Sequence, residues 1–283
     1  MAALLALLSG AGLGATDYFG GRQTARWGAY PVLALSQAAG LLILATLALI
    51  LREPVPHGPT LLFGALAGMS EIIGTAALYF GLARGRASTV APAAALAPLV
   101  PATVAVVTGG SVSVLLLIGA AGAVAGVVVV GILTPQEEGD ARSGGLGWGL
   151  LAAAGFGGYL LFIALATESG TPVGALTVDR TIAFTLVVIL LAVPRVRGGQ
   201  KVGMRVRDAA WVGAIGVGIA ASDLAYATAT LLGNLTLAAV LSSTHPVFTV
   251  IYARIFGRER IGVGRWIGIG LTAAGAAAVA ISS

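Results

Sequence analysis

Pro31-Val32-Leu33-Ala34-Leu35-Ser36 returns later in the chain as Pro172-Val173-Gly174-Ala175-Leu176-Thr177. Working outward, Gly12 and Phe19 pair with Gly155 and Phe162. Gly68, Gly85, Pro98, Gly109, Gly122 and Ala125 pair in the same order with Gly216, Gly233, Pro246, Gly257, Gly270 and Ala273. A single match is weak in a chain so rich in Ala, Gly and Leu, but a consistent order across the whole length marks an internal repeat. Apolar runs lie near residues 2–21, 29–51, 60–83, 87–108 and 112–133, then near 146–167, 172–193, 208–232, 235–257 and 262–281. Each has about the 20 residues that a bilayer crossing requires. Each half holds five runs, and five is odd, so the second copy enters the membrane with opposite orientation. The expected fold is an all-α integral membrane protein with ten transmembrane helices as two inverted five-helix repeats. The repeats span residues 1–133 and 146–283, with 134–145 as linker.

Composition agrees. Of 283 residues, 58% are hydrophobic and 10% charged, and the mean hydropathy is +0.98. A water-soluble domain cannot hide that much apolar surface, so the solvent for most of the chain is lipid. The 42 glycines suit close helix packing. With no cysteine, a disulfide framework, a Cys-based metal site and a thiol nucleophile are excluded. No phosphate-binding loop of the Walker type appears, and two separated histidines make no metal site. We therefore expect no cofactor, no metal and no catalytic residues. A pI near 10.1 raises nucleic acid as a partner, but the basic residues sit in short loops between apolar runs, which is the positive-inside pattern. The expected partners are the lipid bilayer and a small-molecule substrate, with no nucleic acid, for a monomeric chain.

Those basic residues give an orientation. Of the 16 Lys and Arg, all but Arg52 and Arg180 fall on the side shared by loops 1–2, 3–4, 5–6, 7–8 and 9–10. All four Trp (Trp27, Trp148, Trp211, Trp266) lie at the same ends. That side is expected to be cytoplasmic, with both termini outside, in a multi-pass protein of the inner (cytoplasmic) membrane. Residues 1–21 lack a basic leader region and read as a retained first helix.

The stretch from Pro246 to Gly275 carries Pro246-Val247-Phe248, an apolar run, Gly257-Arg258-Glu259-Arg260, and a Gly-rich last helix. It resembles the end of an EamA domain. Asp17-Tyr18-Phe19-Gly20-Gly21 is similar to a motif in one branch of that family. The chain thus resembles the ten-helix drug/metabolite transporter superfamily over nearly its full length. The first half departs from the pattern, with Gly110-Ser111-Val112-Ser113 after Gly109 and neither Glu nor Arg there. The resemblance implies a secondary transporter, with export the commoner direction. The superfamily handles amino acids, drugs, sugars and other metabolites, so the substrate stays open.

Ionisable groups inside apolar runs cost several kcal/mol and invite a functional reading. Glu71 sits near the middle of the third run, with Thr75 and Tyr79 on its face at helical spacing. Asp223, with Tyr226 nearby, is central in the eighth, and the repeat matches it to Thr75, one turn from Glu71. Both acids therefore point to the pseudo-two-fold axis, where inverted-repeat transporters place their site. Arg180 follows Asp179 in the seventh run; neighbours on a helix point about 100° apart, so Arg180 can reach Glu71, Asp223 or a substrate carboxylate. Gln37, Tyr159, Tyr226 and His245 are further candidates for the cavity wall, His245 as a proton carrier. Asp17, near the cytoplasmic end of the first run, is a candidate gate charge. Pro98 and Pro246 free backbone carbonyls and are candidate hinges. His57, between Pro56 and Pro59, reads as a solvated loop residue. Four anions (Asp17, Glu71, Asp179, Asp223) against one cation (Arg180) leave a formal −3. Protons or a cationic substrate group offset such a charge, which favours amino acids, amines or organic cations over phosphate esters. The alternatives are an intramembrane enzyme or lipid-handling protein at the basic surface, and a passive solute channel.

Overall fold

The computed structural model describes residues 1–109, 113–132, 145–193, 203–232, 244–258 and 261–282, and among them every regular element is a helix. Helix α1 (Ala2–Trp27) passes into α2 (Ala29–Leu51) through Gly28 alone. Gly28 has φ 88° and ψ 156°, a combination open in practice only to glycine, so the sharp reversal depends on the missing side chain. Helix α3 (Gly58–Arg84) follows. The expected fourth helix is two pieces, α4 (Ala87–Ala94) and α5 (Leu99–Val107), separated by a turn that ends at Pro98. Proline lacks an N–H and collides with the preceding turn, so the break falls at this residue for a local reason.

After α6 (Val114–Ile132) come α7 (Gly145–Glu168) and α8 (Pro172–Ala192). Thr171 starts α8 by accepting a hydrogen bond from the Gly174 N–H at 3.0 Å, with Pro172 just inside the start. Helices α9 (Val206–Leu232), α10 (His245–Phe256) and α11 (Val263–Ser282) complete the chain. Pro246 sits in the first turn of α10. The first part of the expected ninth helix and the inter-repeat linker lie outside the described residues. Six helices (α1, α2, α3, α7, α8, and α9 over Val206–Tyr226) are long and apolar enough to cross a membrane, and shorter apolar helices accompany them.

The distribution of side chains is that of a protein dissolved in lipid. Leu42, Leu49, Ile50, Leu62, Leu117, Ile118, Val263 and Ile267 are exposed on the outside, while Arg180, Gln37, Glu71 and Asp179 are buried. Lipid solvates the apolar exterior, so helix association rests on close packing and internal polar bonds. Glycine makes the close packing possible. A Cβ on Gly155 of α7 would run into the backbone of Gly74 and Ser70 on α3, and one on Gly216 of α9 into the Ser36 backbone on α2. Gly119 and Gly126 of α6 likewise meet the backbone of α11 at Gly275 and Gly268.

A substitution at such a contact must push two backbones apart. Gly155→Leu is expected to destabilise the protein by about 1–3 kcal/mol or more, lowering its thermal midpoint in detergent by fluorescence-detected size exclusion. Gly147→Ala on the same helix, where nothing lies within 4 Å of the added carbon, is expected to leave the midpoint unchanged.

Candidate functional site

Four helices meet around one guanidinium. Arg180 on α8 is 2% exposed, and its Nη1 donates to Glu71 Oε1 on α3 at 2.7 Å and to Gln37 Oε1 on α2 at 3.0 Å. Its Nη2 donates to Asp223 Oδ2 on α9 at 2.5 Å. Glu71 is held from two more directions: Gln37 Nε2 reaches both carboxylate oxygens, at 3.2 and 3.0 Å, and Thr75 Oγ1 donates to Oε1 at 3.0 Å. The planar, forked guanidinium makes this possible, since it presents donors in several directions where an ammonium is a single point. Arg180 thus reaches both of the acids that its sequence position left as alternatives.

Asp179 is the odd member. It is 0% exposed, and the nearest approach to Arg180 is Oδ2 to Nε at 3.6 Å. Neither Asp179 oxygen nor Arg180 Nε has a hydrogen-bond partner. Adjacent helical residues diverge, which explains why the pair is loose. A buried carboxylate without hydrogen bonds is costly. The network therefore contains three carboxylates and one guanidinium, a formal −2 when all are ionised.

Asp17 does not join this network. Its Oδ2 lies 3.2 Å from His245 Nδ1, forming a second polar pair between α1 and α10. The count of −3 in one place thus divides into a central cluster and a separate Asp17–His245 pair, because these residues sit on a different helix contact. Tyr79 is fully buried and its hydroxyl has no partner. Its ring lies against Gly20 of α1, where a Cβ would collide with it, and it is within electrostatic range of Asp17, Glu71 and Arg180. Tyr159 on α7 is within range of Asp223, Asp179, Arg180 and Glu71. Tyr226 instead packs with Ala6, Leu5 and Ala229 in an apolar cluster. His57 is exposed in its loop, as expected.

Comparison with known proteins follows from this geometry. Residues 143–281 match the model of the EamA-like transporter family. The second half of the chain therefore carries an EamA-like transporter sequence pattern. Its long apolar helices and this match together mark a multi-pass membrane protein. The EamA-matched half supplies Asp179, Arg180, Asp223 and His245, while Gln37, Glu71, Thr75, Tyr79 and Asp17 come from the half before it. Every inter-helical polar bond in the central network except Arg180–Asp223 crosses from the EamA-matched segment to the other half or lies within that other half. A solved structure described only as "Crystal structure of protein" shares this chain's fold at TM-score 0.65, with 16% identity over 99% of each chain. No curated protein matches.

One grouping was not legible in the sequence. Tyr18, Arg22, Arg84, Arg86 and Arg258 line a cavity of about 760 Å³ where the ends of α1, α3 and α10 meet the start of α4. Read along the chain, these arginines register only as topology signals, since nothing local shows that three separate helix ends bring them together.

Proposed function

We propose that this protein is a secondary active transporter of the cytoplasmic membrane. It exports a small organic metabolite bearing a positive group (an amino acid, amine or organic cation) by alternating access, with protons as the coupling ion. The observation that carries this reading is the buried Arg180 set among Glu71, Asp223 and Asp179. A formal −2 held away from water calls for positive charge from a ligand, and protons or a substrate ammonium supply it.

Support for alternation between two inverted repeats comes from the pairing of helices. The α3–α7 contact has its counterpart in α9–α1, α3–α8 in α9–α2, and α4–α7 in α10–α1, while α2–α8 and α6–α11 are self-related. This is the pattern that a two-fold exchange of residues 1–133 with 146–283 generates. The turn ending at Pro98 and the start of α10 just before Pro246 fall at corresponding positions and suit hinges.

The reading is tested by reconstitution in liposomes, with flux of amino acids, amines and organic cations followed with and without an imposed pH gradient. Saturable flux that responds to the gradient is expected for at least one substrate class. Flux that rises linearly with concentration and ignores the gradient would instead mark a channel.

A further inference from the structure

The arginine-lined cavity is distinct from the central network. Arg84 is separated from Glu71 along α3 by 13 residues, about 20 Å at the rise of an α-helix. Four guanidiniums (Arg22, Arg84, Arg86, Arg258) border the cavity, and no acidic residue lines it among the described residues. Among the described residues Arg22 donates to neutral acceptors, the Tyr18 hydroxyl at 3.2 Å and the Phe256 carbonyl at 3.4 Å. The Arg84 Cζ lies over the Phe80 ring at 4.8 Å from its centroid, a cation–π contact that neutralises none of its charge. None of the four pairs with a carboxylate among the described residues. By contrast, Arg26 on α1, outside the cavity, is paired with Asp208 at 3.0 Å.

Two backbone features add to the positive field. Helix α4 starts at Ala87 on the cavity wall with no side-chain cap, so the positive end of its dipole faces the same space. Arg258 has φ 53°, the left-handed region that costs a residue with a side chain of order 1 kcal/mol or more. The preceding Gly257 is packed so closely that a Cβ there would meet the Tyr18 hydroxyl and the Ala253 carbonyl. A strained turn that delivers a fourth arginine to a cavity with no acidic residue among the described ones exceeds what membrane topology alone asks for.

We propose that this cavity is an anion-binding site for a phosphate or carboxylate group, held by Arg22, Arg86 and Arg258 with Arg84 at its edge. Forked guanidiniums match both groups in bidentate geometry. The anion is either a soluble small molecule or a lipid headgroup, which share this chemistry. The site is independent of the transport reading, since its ligand need not be the transported molecule.

The test uses the full chain. In detergent, inorganic phosphate is titrated calorimetrically at constant ionic strength against chloride. In nanodiscs, retention of phosphatidylglycerol over phosphatidylcholine is read by native mass spectrometry. The double variant Arg86→Gln/Arg258→Gln is expected to bind the responding probe at least tenfold more weakly. Arg52→Gln, at the opposite ends of the helices, keeps wild-type binding. Should the double variant lose its fold, Arg258→Gln alone carries the comparison, with thermal unfolding as the check. Phosphate binding alone assigns a soluble anion, phosphatidylglycerol retention alone assigns a headgroup, and mutual displacement assigns one site open to both. Wild-type protein that binds neither probe, or arginine variants that bind like wild type, overturns the proposal. Glu71→Gln is expected to leave phosphate binding intact, so a failed transport reading and a failed anion site give different results.

Discussion

Arg180→Met is expected to destabilise the protein by about 3–5 kcal/mol and to abolish transport. The magnitude is that of removing one partner from a buried ion pair, where the remaining charge stays out of water without compensation. Here the remaining charges are Glu71, Asp223 and Asp179, and Gln37 Oε1 also loses its donor. Methionine matches the stem in volume, so cavity formation contributes little and the loss reports the charges. Thermal unfolding in detergent measures the first effect and liposome flux the second. Arg180→Lys separates charge from geometry: one ammonium supplies the cation but cannot fork to Glu71 and Asp223 together. It is expected to fold with an intermediate midpoint and to transport at least tenfold more slowly. An Arg180→Met protein as stable as wild type would show that the network is not ionised as drawn.

Glu71→Gln is expected to fold and to lose pH-responsive flux by about two orders of magnitude or more, as expected when about 3 kcal/mol of charge-assisted bonding is removed. The substitution changes almost no volume, but it cannot be satisfied. Glu71 Oε1 accepts from Arg180 and Thr75, and Gln37 Nε2 donates to both Glu71 oxygens. With the new amide oxygen kept on Arg180, its NH₂ faces the Gln37 NH₂. If Gln37 turns over to accept, its own NH₂ then faces Arg180, which needs the Gln37 oxygen. Each orientation leaves donors opposed. The formal charge of the cluster also falls from −2 to −1, removing one equivalent of the positive charge that a ligand or protons would supply. Normal gradient-driven flux in Glu71→Gln would reject the central cluster as the transport site, whatever its structural role.

The candidate site was partly legible because its members break a strong local rule. An acid or arginine in the middle of an apolar run stands out by its cost, and Glu71, Asp179, Arg180 and Asp223 were all visible for that reason. Helical spacing also placed Thr75 on the face of Glu71, one turn on, and the two are hydrogen-bonded. Gln37 was a candidate only by polarity; its position as the bridge between Glu71 and Arg180 depends on how α2 rotates against α3 and α8. Tyr226 shows the limit of the same argument. It lies near Asp223 in the sequence, but helical spacing alone does not reveal that it packs with Leu5 and Ala6 of α1.

The sequence by itself determined that the chain lives in lipid, where its long apolar helices fall, that it carries the EamA pattern at its end, and which buried charges are exceptional. These depend on hydropathy and spacing within a single segment. Only the tertiary structure decided that one guanidinium serves two acids on different helices, that Asp17 leaves them for His245, and that four arginines from three separate stretches of chain border one cavity. The reason is physical: composition sets whether a helix enters the membrane, but its rotation and depth against its neighbours are set by glycine contacts such as Gly74–Gly155 and Ser36–Gly216, whose partners lie far apart in the chain.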